Sequence, residues 1–352
     1  MGVCFKREVF KFLNPPFNKL LYLTFLAYLF LLLVTVHLPA QTSDSELFLQ
    51  QEPKFRHFTV ADGLPENTVK WIIQDHLGFL WLSTQNGLVK YDGYSFTTYT
   101  YQPGDPGFPI NNERTSLSDR NLMEILEDHL GTIWVGTMSG GLNKFNRDTE
   151  TFTHYRHQPG DSTSLSHDGA YTLYEDKNGI LWIGTGGGLN KFDRETETFY
   201  SYHHDPQDPT TLSNDVVYSM LEDRFGNFWV GTRNGLNRFD RQIGKVRRYL
   251  QDPQAPHSLS QNTIATIYED ISGGLWIGTA RGGLNRFDYK TETFFHYQFE
   301  RDEPYSISHN HVMSVLEDHR GNFWVGTYGG GLNLFDRQTG RFYRYQNSPN
   351  NP

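Results

Sequence analysis

Residues 164–202 read SLSHDGAYTLYEDKNGILWIGTGGGLNKFDRETETFYSY, and this stretch returns along the chain with small changes. Residues 258–297 read SLSQNTIATIYEDISGGLWIGTARGGLNRFDYKTETFFHY, and residues 306–345 read SISHNHVMSVLEDHRGNFWVGTYGGGLNLFDRQTGRFYRY. Each copy contains Trp-hydrophobic-Gly-Thr, at Trp134, Trp182, Trp229, Trp276 and Trp324, with Trp81-Leu-Ser-Thr84 as a looser first copy. The spacings of 53, 48, 47, 47 and 48 residues leave six units in tandem. A fixed period of this length marks a repeat architecture.

The unit divides into four short strands, at residues 170–175, 181–185, 189–193 and 198–202 in the first quoted copy. Gly, Asp and Asn punctuate every junction, and no stretch sustains helical periodicity. Four strands per unit of this size predict an all-β chain, a β-propeller of six four-stranded antiparallel blades. A blade packs on both neighbours, so its strands are apolar on both faces and need not alternate. Asp-x-x-Gly before each Trp forms the first turn: the Asp carboxylate accepts turn N–H groups and the Gly takes positive φ. Gly-Gly-Leu-Asn forms the second turn, shortened to Asn86-Gly87 and Asn234-Gly235, a type I′ signal. Phe-Asp-x-x-Thr-x-x-Phe forms the third. The recurring Trp is expected to fill the seam between blades.

Because the copies align with one another, a residue present in every blade is read as scaffold. The Glu-Asp pairs, such as Glu127-Asp128 and Glu175-Asp176, are therefore assigned to turns and not to paired catalytic carboxylates. The 31 Lys and Arg against 40 Asp and Glu give a formal charge of −9. Residues 41–352 hold 27 bases and 39 acids, or −12, which excludes the basic footprint of a nucleic-acid binder. Cys4 is the only cysteine. The repeats therefore have no disulfide, thiolate–zinc site or thiol nucleophile. No cofactor is implied.

Residues 20–36 read LLYLTFLAYLFLLLVTV, without a charge, after Lys6, Arg7, Lys11 and Lys19. This run predicts an apolar helix acting as a signal peptide or as a retained membrane anchor. Either way the following chain is exported to the periplasmic or cell-surface side. The expected organisation is a signal or anchor at 1–40, a linker at 41–54, the propeller at 55–345 and an interblade linker at 346–352.

The units resemble two-component regulator propeller repeats, the exported sensor region of hybrid histidine-kinase receptors. The opening residues 55–96, FRHFTVADGLPENTVKWIIQDHLGFLWLSTQNGLVKYDGYSF, are similar to the first repeat of such sensors. The resemblance extends from Phe55 to Tyr345. It implies a propeller that senses a glycan fragment or other small extracellular ligand and signals to a cytoplasmic kinase and response-regulator region. The sequence departs from that pattern in showing no kinase motif, so this chain is not expected to be an enzyme. Fourth-strand motifs occur seven times, from Phe55 to Phe342, against six of each other strand. That count leads us to expect six blades of a larger, seven-blade ring, with the chain a fragment of a longer receptor; the alternative is a self-contained six-blade ring with a spare strand.

A ligand is expected at the channel mouth, where linkers between blades meet the second turns. The column fourteen residues before each Trp reads Asn67, Arg120, Asp168, Asp215, Asn262 and Asn310. His309 precedes that column in the last blade, and the second turns add Arg233, Arg281 and Tyr328. This lining suits a polyhydroxylated ligand, and Arg120, Arg233 and Arg281 suit a carboxylate on it. The Asn and Asp of the column equally suit turn capping. His311, two residues after His309, completes an alternate pair without a third ligand for a metal. Trp71 stands where other blades have Ser, Thr or Glu and either stacks on a sugar or packs. Two other functions fit the same repeats: a scaffold for protein–protein interaction, and an exported propeller lyase or glycosidase.

Overall fold

The computed structural model describes residues 57–103 and 113–346. The apolar run at 20–36 and the proposed signal or anchor lie outside these residues. Among the described residues no helix is long and apolar enough to cross a membrane.

Six antiparallel meanders follow one another around a common axis. The first contains Val69–Gln74, Leu80–Thr84, Gly87–Tyr91 and Phe96–Tyr99, hydrogen-bonded in that order. The others occupy residues 122–155, 170–202, 217–249, 264–297 and 312–345. The innermost strand of each blade packs on the innermost strand of the next. The second strands of blades 2 to 5 are buried at every position, as a sheet covered on both faces requires. Blade 2 gains a fifth strand, Glu113–Arg114, which pairs with its outer strand Thr151–Tyr155.

The recurring tryptophan joins the blades. Trp134 lies in one apolar cluster with Leu173, Ile183, Phe192 and Phe199 of blade 3, and Trp229 in another with Ile267, Ile277, Phe287 and Phe294 of blade 5. Trp134 meets the Phe192 ring edge-on at 5.3 Å, and Trp229 meets Phe287 at 5.1 Å. Five of the six seam tryptophans are 0–1% exposed, whereas Trp324 of the last blade is partly exposed. Leu316 on that same face is 58% exposed, and Ile72 on the opposite face of blade 1 is 57% exposed. The apolar faces at the two ends of the series are thus open.

The Asp of Asp-x-x-Gly does more than close its turn. Asp176 Oδ1 accepts the Asn178 and Ile180 amides at 2.9 and 3.1 Å, and Gly179 has φ 76°. Its Oδ2 accepts Trp182 Nε1 at 2.9 Å and Arg241 Nη1 of the next blade at 2.9 Å. Arg241 also holds Glu222 of its own blade at 2.8 Å. The same clamp joins Asp75 to Arg147 at 2.8 Å and Asp128 to Arg194 at 2.7 Å. Between blades 4 and 5 the Tyr289 hydroxyl replaces the guanidinium, donating to Asp223 at 3.0 Å. The repeated Glu-Asp pairs are therefore halves of interblade clamps.

Arg241→Ala leaves the buried Asp176 without its counter-charge and is expected to cost about 2 kcal/mol at pH 7. Hydrogen bonds from Arg241 hold the Glu222 carboxyl below the usual range. That contribution is present above the ordinary carboxylate pKa and is lost as pH falls through the lowered one. Urea unfolding should find the variant's deficit at pH 7 and a smaller one at pH 3.

Two expectations need correction. The type I′ turns at Asn86-Gly87 and Asn234-Gly235 do not form. Thr84 pairs with Gly87 and Thr232 with Gly235, which puts Gln85-Asn86 and Arg233-Asn234 in the loops. Only the glycines there have positive φ, 132° and 131°, whereas type I′ requires it at both central residues. The extra outer strand at 55–58 falls partly outside the described residues, and its described part, His57 and Phe58, is not a strand. Phe58 instead lays its ring 5.8 Å from both Tyr91 and Phe96 of blade 1.

Candidate functional site at the mouth of the propeller

At one end of the propeller the second turns of blades 2, 4 and 5 meet the linkers entering the next blades. Gly141 N–H donates to Asp168 O at 2.7 Å, Gly235 N–H to Asn262 O at 2.7 Å, and Gly283 N–H to Asn310 O at 2.9 Å. Within a blade, Arg233 N–H donates to Val216 O and Tyr328 N–H to His311 O, each at 2.9 Å. These bonds anchor the turns, so the variable side chains are carried on fixed backbone.

The alternative readings of the column fourteen residues before each Trp separate here. Asp168 Oδ1 accepts the His157 amide at 2.8 Å and Asp215 Oδ1 the His204 amide at 2.6 Å. Asn262 and Asn310 accept the Gln251 and Phe299 amides, both at 2.7 Å. Each of these four accepts the amide eleven residues earlier and so pins its linker, and Asn67 accepts the Val60 amide at 3.0 Å. Arg120 breaks the column and is exposed, as are Arg233 and Arg281. Arg120, Arg233 and Arg281 belong to blades 2, 4 and 5. Trp71 is 41% exposed on the innermost strand of blade 1, just past a bulge.

Four of the residues singled out in the sequence converge at the seam between blades 5 and 6. The His311 ring lies 5.3 Å from the Tyr328 ring at 33°. The His311 amide donates to His309 Nδ1 at 3.0 Å. Burial holds the His311 imidazole below its ordinary pKa, and the charges of His309 and Arg281 add to that effect. Among the described residues no group of three or more His, Cys, Asp or Glu is arranged to hold a metal ion.

The sequence reading missed Glu124. It belongs to the same aligned position as Trp71, Thr172, Ser219, Thr266 and Ser314, where its charge is the visible signal. The ladder of blade 2 breaks between Leu122 and Ile125, which frees residues 123–124 from pairing. The Glu124 carboxyl crosses to blade 3 and accepts the Leu173 amide at 3.2 Å and a hydrogen bond from the Thr172 side chain. Burial pushes this carboxyl up to about 8. At the opposite end of the propeller an open groove is lined by Arg238, Arg241, Lys245 and Arg247. Those cations already pair with Glu292, Glu222 and Asp208, so the groove offers no free charge to a ligand.

Comparison with known proteins agrees with this architecture. The sequence pattern of the two component regulator propeller matches residues 63–86, 164–187, 211–234, 258–281 and 306–329. Over 51 residues, 14% of this chain and 4% of the relative, the chain is 45% identical to histidine kinase P4 of Formosa agariphila. The extracellular domain of a hybrid two component system of B. thetaiotaomicron superposes with a TM-score of 0.69 at 25% identity, covering 84% of this chain and 37% of that one. PorZ, a surface component of the type-IX secretion system of Porphyromonas gingivalis, shares the fold with a TM-score of 0.55 at 16% identity, over 78% of this chain and 39% of PorZ. The chain spans less than half the length of each of these proteins.

Proposed function

We propose that this chain, which carries two-component regulator propeller repeats, is the exported ligand-sensing propeller of a two-component receptor. Its downstream partner is a kinase and response-regulator region across the membrane. Its ligand is a glycan fragment or another small polar molecule taken at the mouth. The supporting observation is the convergence of Arg281, His309, His311 and Tyr328 on one seam of the end where linkers and turns meet. These are the positions where the blades differ, while the residues common to every blade are engaged in clamps and turns. Export rests on the charge-free run at 20–36 and its basic flank. No residue is assigned a catalytic role.

A thermal-shift screen of the purified protein against neutral and acidic oligosaccharides tests the reading. A specific ligand at a hundred times its dissociation constant adds about 2.7 kcal/mol of stability. The expected result is a raised melting temperature with a subset of the panel and none with the rest. A cooperative melt that no small ligand moves would favour a protein-binding scaffold.

A further inference from the structure

Arg147, Arg194, Arg224, Arg241 and Arg337 each meet a carboxylate. Arg281 does not, among the described residues, although the chain has a net charge of −9. It projects from the second turn of blade 5 beside His309 and His311 of blade 6, and its charge is felt at His311. The Tyr328 ring lies against His311, with ring centroids 5.3 Å apart. The carboxylates on the two innermost strands packed at this seam, Glu269 and Glu317, are held at the opposite end by Arg224 and Arg337. The charged groups felt at His311 are Arg281 and His309, both basic, and the Tyr328 ring lies beside it.

We propose that this seam is a carboxylate site: Arg281 and His311 hold the anion, and binding draws a proton onto His311. The proposal rests on the sensing function above and assigns its ligand a negative charge. An anion supplies a counter-charge and opposes the repulsion from His309 and Arg281 that adds to burial in lowering the His311 pKa. His309 Nδ1 accepts the His311 amide, so in its neutral form His309 carries its proton on Nε2, turned away from that bond. Arg281, a protonated His311 and the Tyr328 hydroxyl are donors suited to a carboxylate oxygen pair. Because a proton is taken up with the anion, affinity rises as pH falls through the His311 transition. A uronic acid and a simple organic acid present the same group, and they differ in the sugar hydroxyls.

The test follows the histidine Cε1–H resonances of the intact protein while glucuronate, glucose or acetate is added at pH 5.5 and pH 7.5. The expected result is that glucuronate raises the His311 pKa and binds about tenfold more tightly at pH 5.5. Acetate acting as well as glucuronate would identify a free carboxylate site, and glucuronate acting much better would add recognition of the sugar; both support the proposal. Arg281→Ala, an exposed change that leaves the melting temperature in place, should abolish the response. His311→Asn should keep binding and lose its pH dependence. The proposal is overturned if glucose and glucuronate perturb the cluster equally, or if neither anion moves the His311 titration. A neutral oligosaccharide that stabilises the Arg281→Ala variant as well as the wild type would remove this site and leave the sensing function standing. A screen with no stabilising ligand, alongside an acetate-responsive His311, would do the reverse.

Discussion

Trp229→Ala is expected to lower stability by about 3–5 kcal/mol, the usual cost of removing a large buried ring and leaving a cavity. Trp229 is fully buried in the seam between blades 4 and 5, in contact with Tyr249 and Phe287. Its Nε1–H donates to Asp223 at 2.8 Å, so the substitution also removes a donor from a buried carboxylate. Trp324→Ala is the matched control. It has the same place in its repeat and the same bond, to Asp318 at 3.0 Å, yet it is only partly buried. Its expected cost is about 1–2 kcal/mol, because less surface returns to water. Chemical denaturation of both variants measures the difference. Equal losses would mean that the seam does not depend on the covering blade, contrary to the observed packing.

The second large effect is a pH dependence at Glu124. Its folded-state pKa is raised to about 8, above the ordinary carboxyl value of 4.5, by burial. The folded protein therefore holds a proton that the unfolded chain releases between these values. Stability from this group is intact below the ordinary carboxyl pKa and declines as pH rises toward 8. Glu124→Gln keeps the shape and an acceptor for the Leu173 amide while removing the ionisation. Each tenfold difference in proton affinity between the folded and unfolded chain is worth about 1.4 kcal/mol. The variant should therefore match the wild type near pH 5 and exceed it by roughly 2–4 kcal/mol at pH 9. Melting temperatures of both proteins from pH 5 to 9 provide the test. Parallel curves would show that Glu124 ionises like an exposed carboxylate and that its contact with blade 3 is not proton-dependent.

Strands were legible wherever the repeat copies one another. Three of the four expected in residues 164–202 have the observed limits, Ala170–Glu175, Leu181–Thr185 and Thr198–Tyr202, and the third begins one residue early, at Gly188. The fifth strand of blade 2 was not legible, because Glu113–Arg114 lies in a linker with no counterpart in the other units. The turn at Asn86-Gly87 was misread for a different reason. The dipeptide fits a type I′ turn locally, but the cross-strand register places the glycine in the ladder. Asp168 and Asp215 were legible only as alternatives, since a carboxylate that caps a linker and one that meets a ligand have the same spacing from the Trp.

The repeat alone dictates the fold, because a four-strand unit occurring six times can bury its apolar faces only by stacking each blade on the next. It also separates scaffold from variable positions, since the copies align without any homologue. What crosses a seam is settled only by the packed blades. Asp176 and Arg241 are 65 residues apart yet share a clamp, and Glu124 reaches Leu173 over 49. The charge of Arg281 is felt at His311 because one blade's second turn lies against the next blade's linker. The repeat period fixes which residues are equivalent. Which side chains touch across a seam depends on how neighbouring blades are set against each other, and that is fixed only when the sheets pack.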